Sequence, residues 1–276
     1  MNRSIKTILV SLNSPQFFDN NMAMATQIAR EYESHIIGLY VVPSAIVYTA
    51  SYGYGGPINF TELHRFYRSK ASEVEGLFIE WVEKEGLSAE WRKTSSLGHF
   101  VSDAIIDHGR EADLIILGDD NSTNTDVQFE GRIVQSTGRP VLIVPNSTRS
   151  DFRIKKAIVG WDGSREAARA AFDAIPLLKM SDKTEITCIN AHKERQMSGD
   201  TPGSELAKSL SRYSINVEAV STKTKASIPS ALLEKAEEAD LLVIGAYGHS
   251  RLREDFFGGV TNRTLAQMPC PVLLSN

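Results

Sequence analysis

The sequence predicts an α/β fold made of two tandem five-stranded parallel-sheet units, each doubly wound and Rossmann-like. Three observations carry that prediction. The chain contains itself twice. Within each copy, short apolar runs alternate with helix-length segments, as βαβ units require. The run Leu241 to Ile244 is apolar without interruption, the pattern of a strand covered on both faces of a parallel sheet.

The repeat has three matching parts in the same order. Thr7-Ile-Leu-Val-Ser-Leu-Asn13 matches Lys156-Ala-Ile-Val-Gly-Trp-Asp162 at an offset of 149. Glu111-Ala-Asp-Leu-Ile-Ile-Leu-Gly118 recurs as Glu238-Ala-Asp-Leu-Leu-Val-Ile-Gly245 at an offset of 127, with five of eight positions identical. Pro140-Val-Leu-Ile-Val-Pro145 recurs as Pro271-Val-Leu-Leu-Ser275 at an offset of 131. The changes in offset give the first copy 22 extra residues before Glu111 and four fewer between Gly118 and Pro140. The extra residues are expected around Pro43 to Phe60, rich in Tyr, Gly and Ser. There Tyr48, Tyr52 and Tyr54 suit a lid, a partner surface or a poorly ordered loop. The predicted domains are 1–148 and 152–276, joined by the polar linker around Pro145 to Asp151.

Taken in order, the first copy places strands at Ile8 to Val10, Ile36 to Val42, Ala89 to Lys93, Leu114 to Leu117 and Val141 to Val144. In the second, Ala157 to Val159 is a strand entering the turn Asp162-Gly163-Ser164, and Ser164 is an N-cap for a helix over Arg165 to Leu178. Strands follow at Glu185 to Ala191, Val217 to Ser221, Leu241 to Ile244 and Val272 to Leu274. Helices are expected at Glu205 to Tyr213, Ala231 to Ala239 after Ser227 and Pro229, and Gly258 to Met268.

The chain of 276 residues, at roughly 150 per domain, allows this doubling. Hydrophobic residues at 42% and charged residues at 23% suit packed cores, and exclude a disordered or fibrous chain. A net charge of -4 argues against a nucleic-acid partner, which calls for clustered Lys and Arg. No apolar run is as long as a membrane helix requires. Met1 to Ser11 lacks a signal-peptide core, so a cytoplasmic location is expected. Cys188 and Cys270 suggest neither a zinc site nor a disulfide framework. The six histidines form no ligand pair, so no metal site is read.

The chemistry concentrates after Ile244, in Gly245-Ala-Tyr-Gly248-His-Ser-Arg251, continuing to Gly258-Gly259-Val260-Thr261. Ligands of open α/β sheets bind beyond the carboxyl ends of strands. Glycines three apart let the backbone turn and approach a ligand. Gly258 and Gly259 open a helix whose free N–H groups favour an anion, and His249, Ser250 and Arg251 add donors. A phosphate chain fits this arrangement; a tight turn with close helix packing is the bland alternative.

The spacing Gly-x2-Gly-x9-Gly resembles the nucleotide signature of the universal stress protein family, with Gly245, Gly248 and Gly258 in its places. Gly259 departs from the Ser or Thr that usually follows, and Thr261 is two residues too far on. The resemblance covers both halves. It implies an adenine nucleotide hydrolase-like fold, a small-molecule nucleotide such as ATP as ligand, and a stress-response regulatory role. It also implies that Asp162 lies beside the nucleotide and that the backbone at Ala191 meets adenine; Asp162 there suits a hydrogen-bond acceptor for the nucleotide, an organiser of its own loop, or a contact to a nucleotide-bound Mg²⁺. Units of this family often pair through their last strands. The resemblance therefore implies an intramolecular pseudo-dimer through Val141 to Val144 and Val272 to Leu274, and allows a homodimer of chains.

The first copy departs from the pattern. Asn13 replaces the Asp, and the second glycine is missing after Gly118. Asp119, Asp120 and Asp126 bring negative charge where phosphate would lie. This copy is expected to leave nucleotide unbound. No nucleophile elbow surrounds Ser164 and no catalytic base stands out, so at most slow ATP hydrolysis is expected. A slow hydrolase and a ligand-free scaffold are the alternatives to a binding protein.

Overall fold

The computed structural model describes residues 4–43, 60–96, 99–119, 129–148, 152–191, 201–247 and 258–276. These fall into two compact units, one of Ile5–Arg139 and the other built on Pro140–Asn276.

In the first unit, β1 (Thr7–Ser11), β2 (His35–Val42), β3 (Ala89–Ser95) and β4 (Leu114–Gly118) form a parallel sheet in the order β3-β2-β1-β4. The helices are α1 (Phe18–Tyr32), α2 (Phe60–Glu85), α3 (Val101–Gly109) and α4 (Phe129–Thr137). The middle of β1 and all of β4 are buried, as strands with helices on both faces must be. Gly38 on β2 lets α2 approach, because a Cβ there would lie 2.6 Å from the Phe78 ring.

The second unit begins with β5 (Val141–Val144), the last strand of the first repeat. The second repeat then runs through β6 (Lys156–Gly160), α5 (Arg165–Asp173), α6 (Ile175–Lys179), β7 (Lys183–Ile189), α7 (Ser204–Ser211) and β8 (Val217–Thr222). It closes with α8 (Ile228–Ala236), β9 (Leu241–Gly245), α9 (Gly258–Ala266) and β10 (Val272–Ser275). The strand order is β5-β10-β9-β6-β7-β8, with β5 antiparallel to β10 and the other neighbours parallel. Leu142 sits opposite Leu273, so the two last strands pair as the resemblance implies. The spatial division therefore falls at Arg139/Pro140, ahead of the polar linker, because β5 hydrogen-bonds to β10.

One predicted helix is broken. The segment expected to run from Arg165 to Leu178 ends at Asp173 and restarts as α6. Pro176 has no N–H to donate to the carbonyl four residues back, and its ring suits only a first turn.

Candidate functional site

In the second unit the chain leaves β6 toward β7 and β8 on one side and returns to β9 and β10 on the other. The strand order reverses between β6 and β9, and the crevice beyond their carboxyl ends is where such sheets take ligands. Asp162 follows β6, Ala191 follows β7, and residues 245–258 connect β9 to α9. All three segments therefore emerge at one edge.

Trp161 N–H donates to Thr187 O at 2.9 Å, holding the end of β6 against β7. Asp162 Oδ1 then accepts Ser164 N–H at 2.8 Å, a turn that its carboxylate closes on itself. Gly163 has φ +73°, a left-handed conformation that favours glycine. Ser164 Oγ accepts Ala167 N–H at 3.1 Å, capping α5 as predicted.

Gly245 is held by packing. A Cβ on it would lie within 2.4 Å of Ala167 N and of the Glu166 carbonyl carbon, so β9 presses against the backbone of the capped first turn of α5. Tyr247 follows with φ +55°, strained for a bulky residue. Gly248, His249, Ser250 and Arg251 lie outside the described residues. Gly258, Gly259, Val260 and Thr261 form the first turn of α9. Thr261 is 2% exposed and is buried along with Thr264, Leu265 and Met268. That stripe favours packing over contact with a ligand.

Beside this edge, burial pushes the Cys188 thiol up to about 11, helped by the charge of Asp162. Among the described residues no group of three or more His, Cys, Asp or Glu could hold a metal ion, and no helix is long and apolar enough to cross a membrane.

The matching edge of the first unit is built differently. Asn13 Nδ2 donates to Val41 O at 2.6 Å and Asn13 Oδ1 accepts Val41 N–H at 3.0 Å, so the residue in the place of Asp162 is tied to β2. Gly118, in the place of Gly245, has the Phe17 side chain where its Cβ would be, with Cγ at 2.4 Å. The offset of 149 puts Phe17 opposite Glu166. One unit buries an aromatic ring there (6% exposed), the other a carboxylate (3% exposed). Glu166 Oε1 accepts Arg165 Nε–H at 2.9 Å.

Burial also fixes how α4 and α9 align. Glu130, Ile133, Val134 and Thr137 are buried on α4 as Thr261, Thr264 and Leu265 are on α9 and Met268 is just beyond it. Glu130 thus stands where the second unit has Thr261, and puts a buried carboxylate into the first turn of α4. Asp119 is described; Asp120 and Asp126 lie outside the described residues. Sequence alone did not single out Glu130, Glu166 or Asn190. Glu130 could have been found by carrying the 131 offset back from Pro271; the burial of Glu166 carries no sequence signal.

The doubly wound sheet, with its strand order reversing between β6 and β9, makes this a Rossmann-like α/β protein. Residues 153–276 match the model of the universal stress protein family. It is 25% identical over 181 residues to a universal stress protein of Synechocystis sp. (strain ATCC 27184 / PCC 6803 / Kazusa), an alignment spanning 63% of this chain and 61% of that protein. Two solved structures share the fold along its length. A universal stress protein from Archaeoglobus fulgidus DSM 4304 superimposes with a TM-score of 0.70 at 17% identity, covering 99% of this chain and 97% of that one. A functionally unknown protein from Pseudomonas aeruginosa PAO1 does so with 0.63 at 15% identity, covering 99% of this chain and 92% of that one.

Proposed function

We propose that the second repeat binds an adenine nucleotide, ATP or a relative, and that the chain is a cytoplasmic regulatory protein of the stress response whose partner choice depends on that ligand. The observation that carries this reading is convergence. Asp162, Ala191 and the glycine-spaced connection from β9 to α9 all emerge at the switch point of one sheet. The donor set suits the ligand. Backbone N–H groups of a glycine loop and of the first turn of α9 bind phosphate without a basic patch, consistent with a net charge of -4. Gly248, His249, Ser250 and Arg251 would line the phosphates, with Gly258, Gly259 and Val260 at the helix start. Where Mg²⁺ accompanies the nucleotide, Asp162 supplies the carboxylate at this edge. The base and ribose would lie toward Ala191.

The first repeat is proposed to bind none. Its Phe17 ring fills the space against Gly118, and Asn13 is tied to Val41. Glu130 places a buried acidic side chain at the helix start that a phosphate would need.

The test is calorimetric titration with ATP. The expected stoichiometry is one per chain, abolished by Gly248→Val with the fold retained by circular dichroism. At 100 times Kd, ATP should stabilise the protein by about 2.7 kcal/mol. Two nucleotides per chain would sink the assignment of the first repeat. If no nucleotide is released from the purified protein and millimolar ATP does not stabilise it, the ligand-free scaffold is the better reading.

A further inference from the structure

Asn190, the first residue after β7, has φ +49°, in the left-handed region. Its N–H continues the sheet by donating to Thr222 O at 2.9 Å. Its side chain then grips the segment beyond β8 from both sides: Nδ2 donates to Thr224 O at 3.0 Å and Oδ1 accepts Thr224 N–H at 2.9 Å. Among non-glycine residues Asn visits this conformation readily, because its short amide bonds locally. Here it uses both ends of that amide on one residue 34 positions away. Helix or turn formation alone does not call for this. The backbone turns sharply at Asn190, and the clamp holds the turn in one orientation.

The next residue is Ala191, and the peptide between them is set by that turn. We infer that Asn190 is a positioning residue for base selection: by locking the left-handed turn against Thr224, it fixes which way the 190–191 peptide and the Ala191 backbone present their N–H and C=O. This rests on the reading that a nucleotide base meets the backbone at Ala191. Adenine offers an amino donor beside a ring-nitrogen acceptor, and guanine offers a carbonyl acceptor beside a ring N–H donor. A backbone N–H and C=O held in one orientation pair with the first pattern and oppose the second. A backbone free to rotate can present either. The clamp therefore governs discrimination more than phosphate grip.

The test uses the full chain with Asn190→Ala, Asn190→Gly and Asn190→Asp, titrated separately with ATP and GTP. Asn190→Gly keeps the left-handed turn without the clamp. Asn190→Asp keeps the acceptor for Thr224 N–H and tolerates the same turn. The expected result is an ATP affinity about tenfold weaker in the Ala and Gly variants, about 1.4 kcal/mol. Their ATP-to-GTP preference should fall towards one, and Asp should restore part of the preference. A general loss of stability would weaken both nucleotides alike and leave their ratio unchanged. An unchanged ratio in folded Ala and Gly variants overturns the inference. If the Ala variant does not fold, the Gly and Asp variants decide. Failure of the unmodified protein to bind either nucleotide overturns instead the nucleotide reading on which the inference rests.

Discussion

Gly245 and Gly118 stand at equivalent strand ends, yet their neighbours differ in kind. At Gly245 an added methyl would meet backbone, Ala167 N and the Glu166 carbonyl carbon, both at 2.4 Å. At Gly118 it would meet the Phe17 side chain. A capped helix turn cannot move aside as a ring can. Gly245→Ala should therefore cost about 2 kcal/mol, the ordinary scale of overpacking, and Gly118→Ala less. Urea unfolding of the two variants checks the order. The thiols give a second expectation at this scale. Burial lifts Cys188 to about 11 and Cys270 to about 12, with the Asp162 and Asp240 charges adding to each. Neither should react with a thiol reagent at about pH 8 until the protein unfolds; rapid labelling of the native protein would contradict this.

Glu185 shows how a residue ties elements together. Burial pushes its carboxyl up, but hydrogen bonds from Lys235 and Thr187 and the charges of Lys235 and Lys156 outweigh that and hold it below its ordinary value. Lys235 Nζ on α8 reaches Glu185 Oε1 on β7 at 2.6 Å, and Thr187 Oγ1 donates to the same oxygen at 2.8 Å. Glu185→Gln should cost about 2 kcal/mol near neutral pH, since it leaves Lys235 without its carboxylate. A carboxyl whose pKa is depressed by folding contributes fully above its unfolded pKa, about 4.3. That contribution fades as pH falls through the folded value. The stability gap between wild type and Glu185→Gln should thus hold from about pH 6 to 8 and shrink below about pH 4, read by urea unfolding across that range. The cap of α5 is a simpler link. Ser164→Ala removes the acceptor for Ala167 N–H and should lower stability by about 1 kcal/mol in the same assay. At the scale of elements much was legible. The strands predicted at Leu114 to Leu117 and Val141 to Val144 are found there almost to the residue. The α5–α6 break at Pro176 was also readable in principle, but the Ala-rich composition ahead of it hides it.

For the molecule as a whole, the pairing of β5 with β10 matters most. A fragment of residues 140–276 retains that pair, whereas 152–276 leaves the β10 edge bare. An open apolar edge invites pairing with another chain. The longer fragment should be monomeric and the shorter one should self-associate in sedimentation experiments. Equal behaviour would mean that the β5–β10 pair contributes little.

By itself, the sequence determined the alternation of strands and helices, the doubling of the unit, the Ser164 cap, and the placing of the glycine motif between β9 and α9. These depend on local preference and on periodicity, which each segment carries with it. The tertiary structure alone decided the rest. Phe17 meets Gly118 although the two are far apart in the chain, Asn190 clamps a residue 34 positions on, and Glu130 enters the first turn of α4 as a buried carboxylate. Such contacts arise only once helices pack on sheets. Which neighbour fills the space above a glycine, or receives a side-chain amide, is set by residues that local patterns cannot bring together.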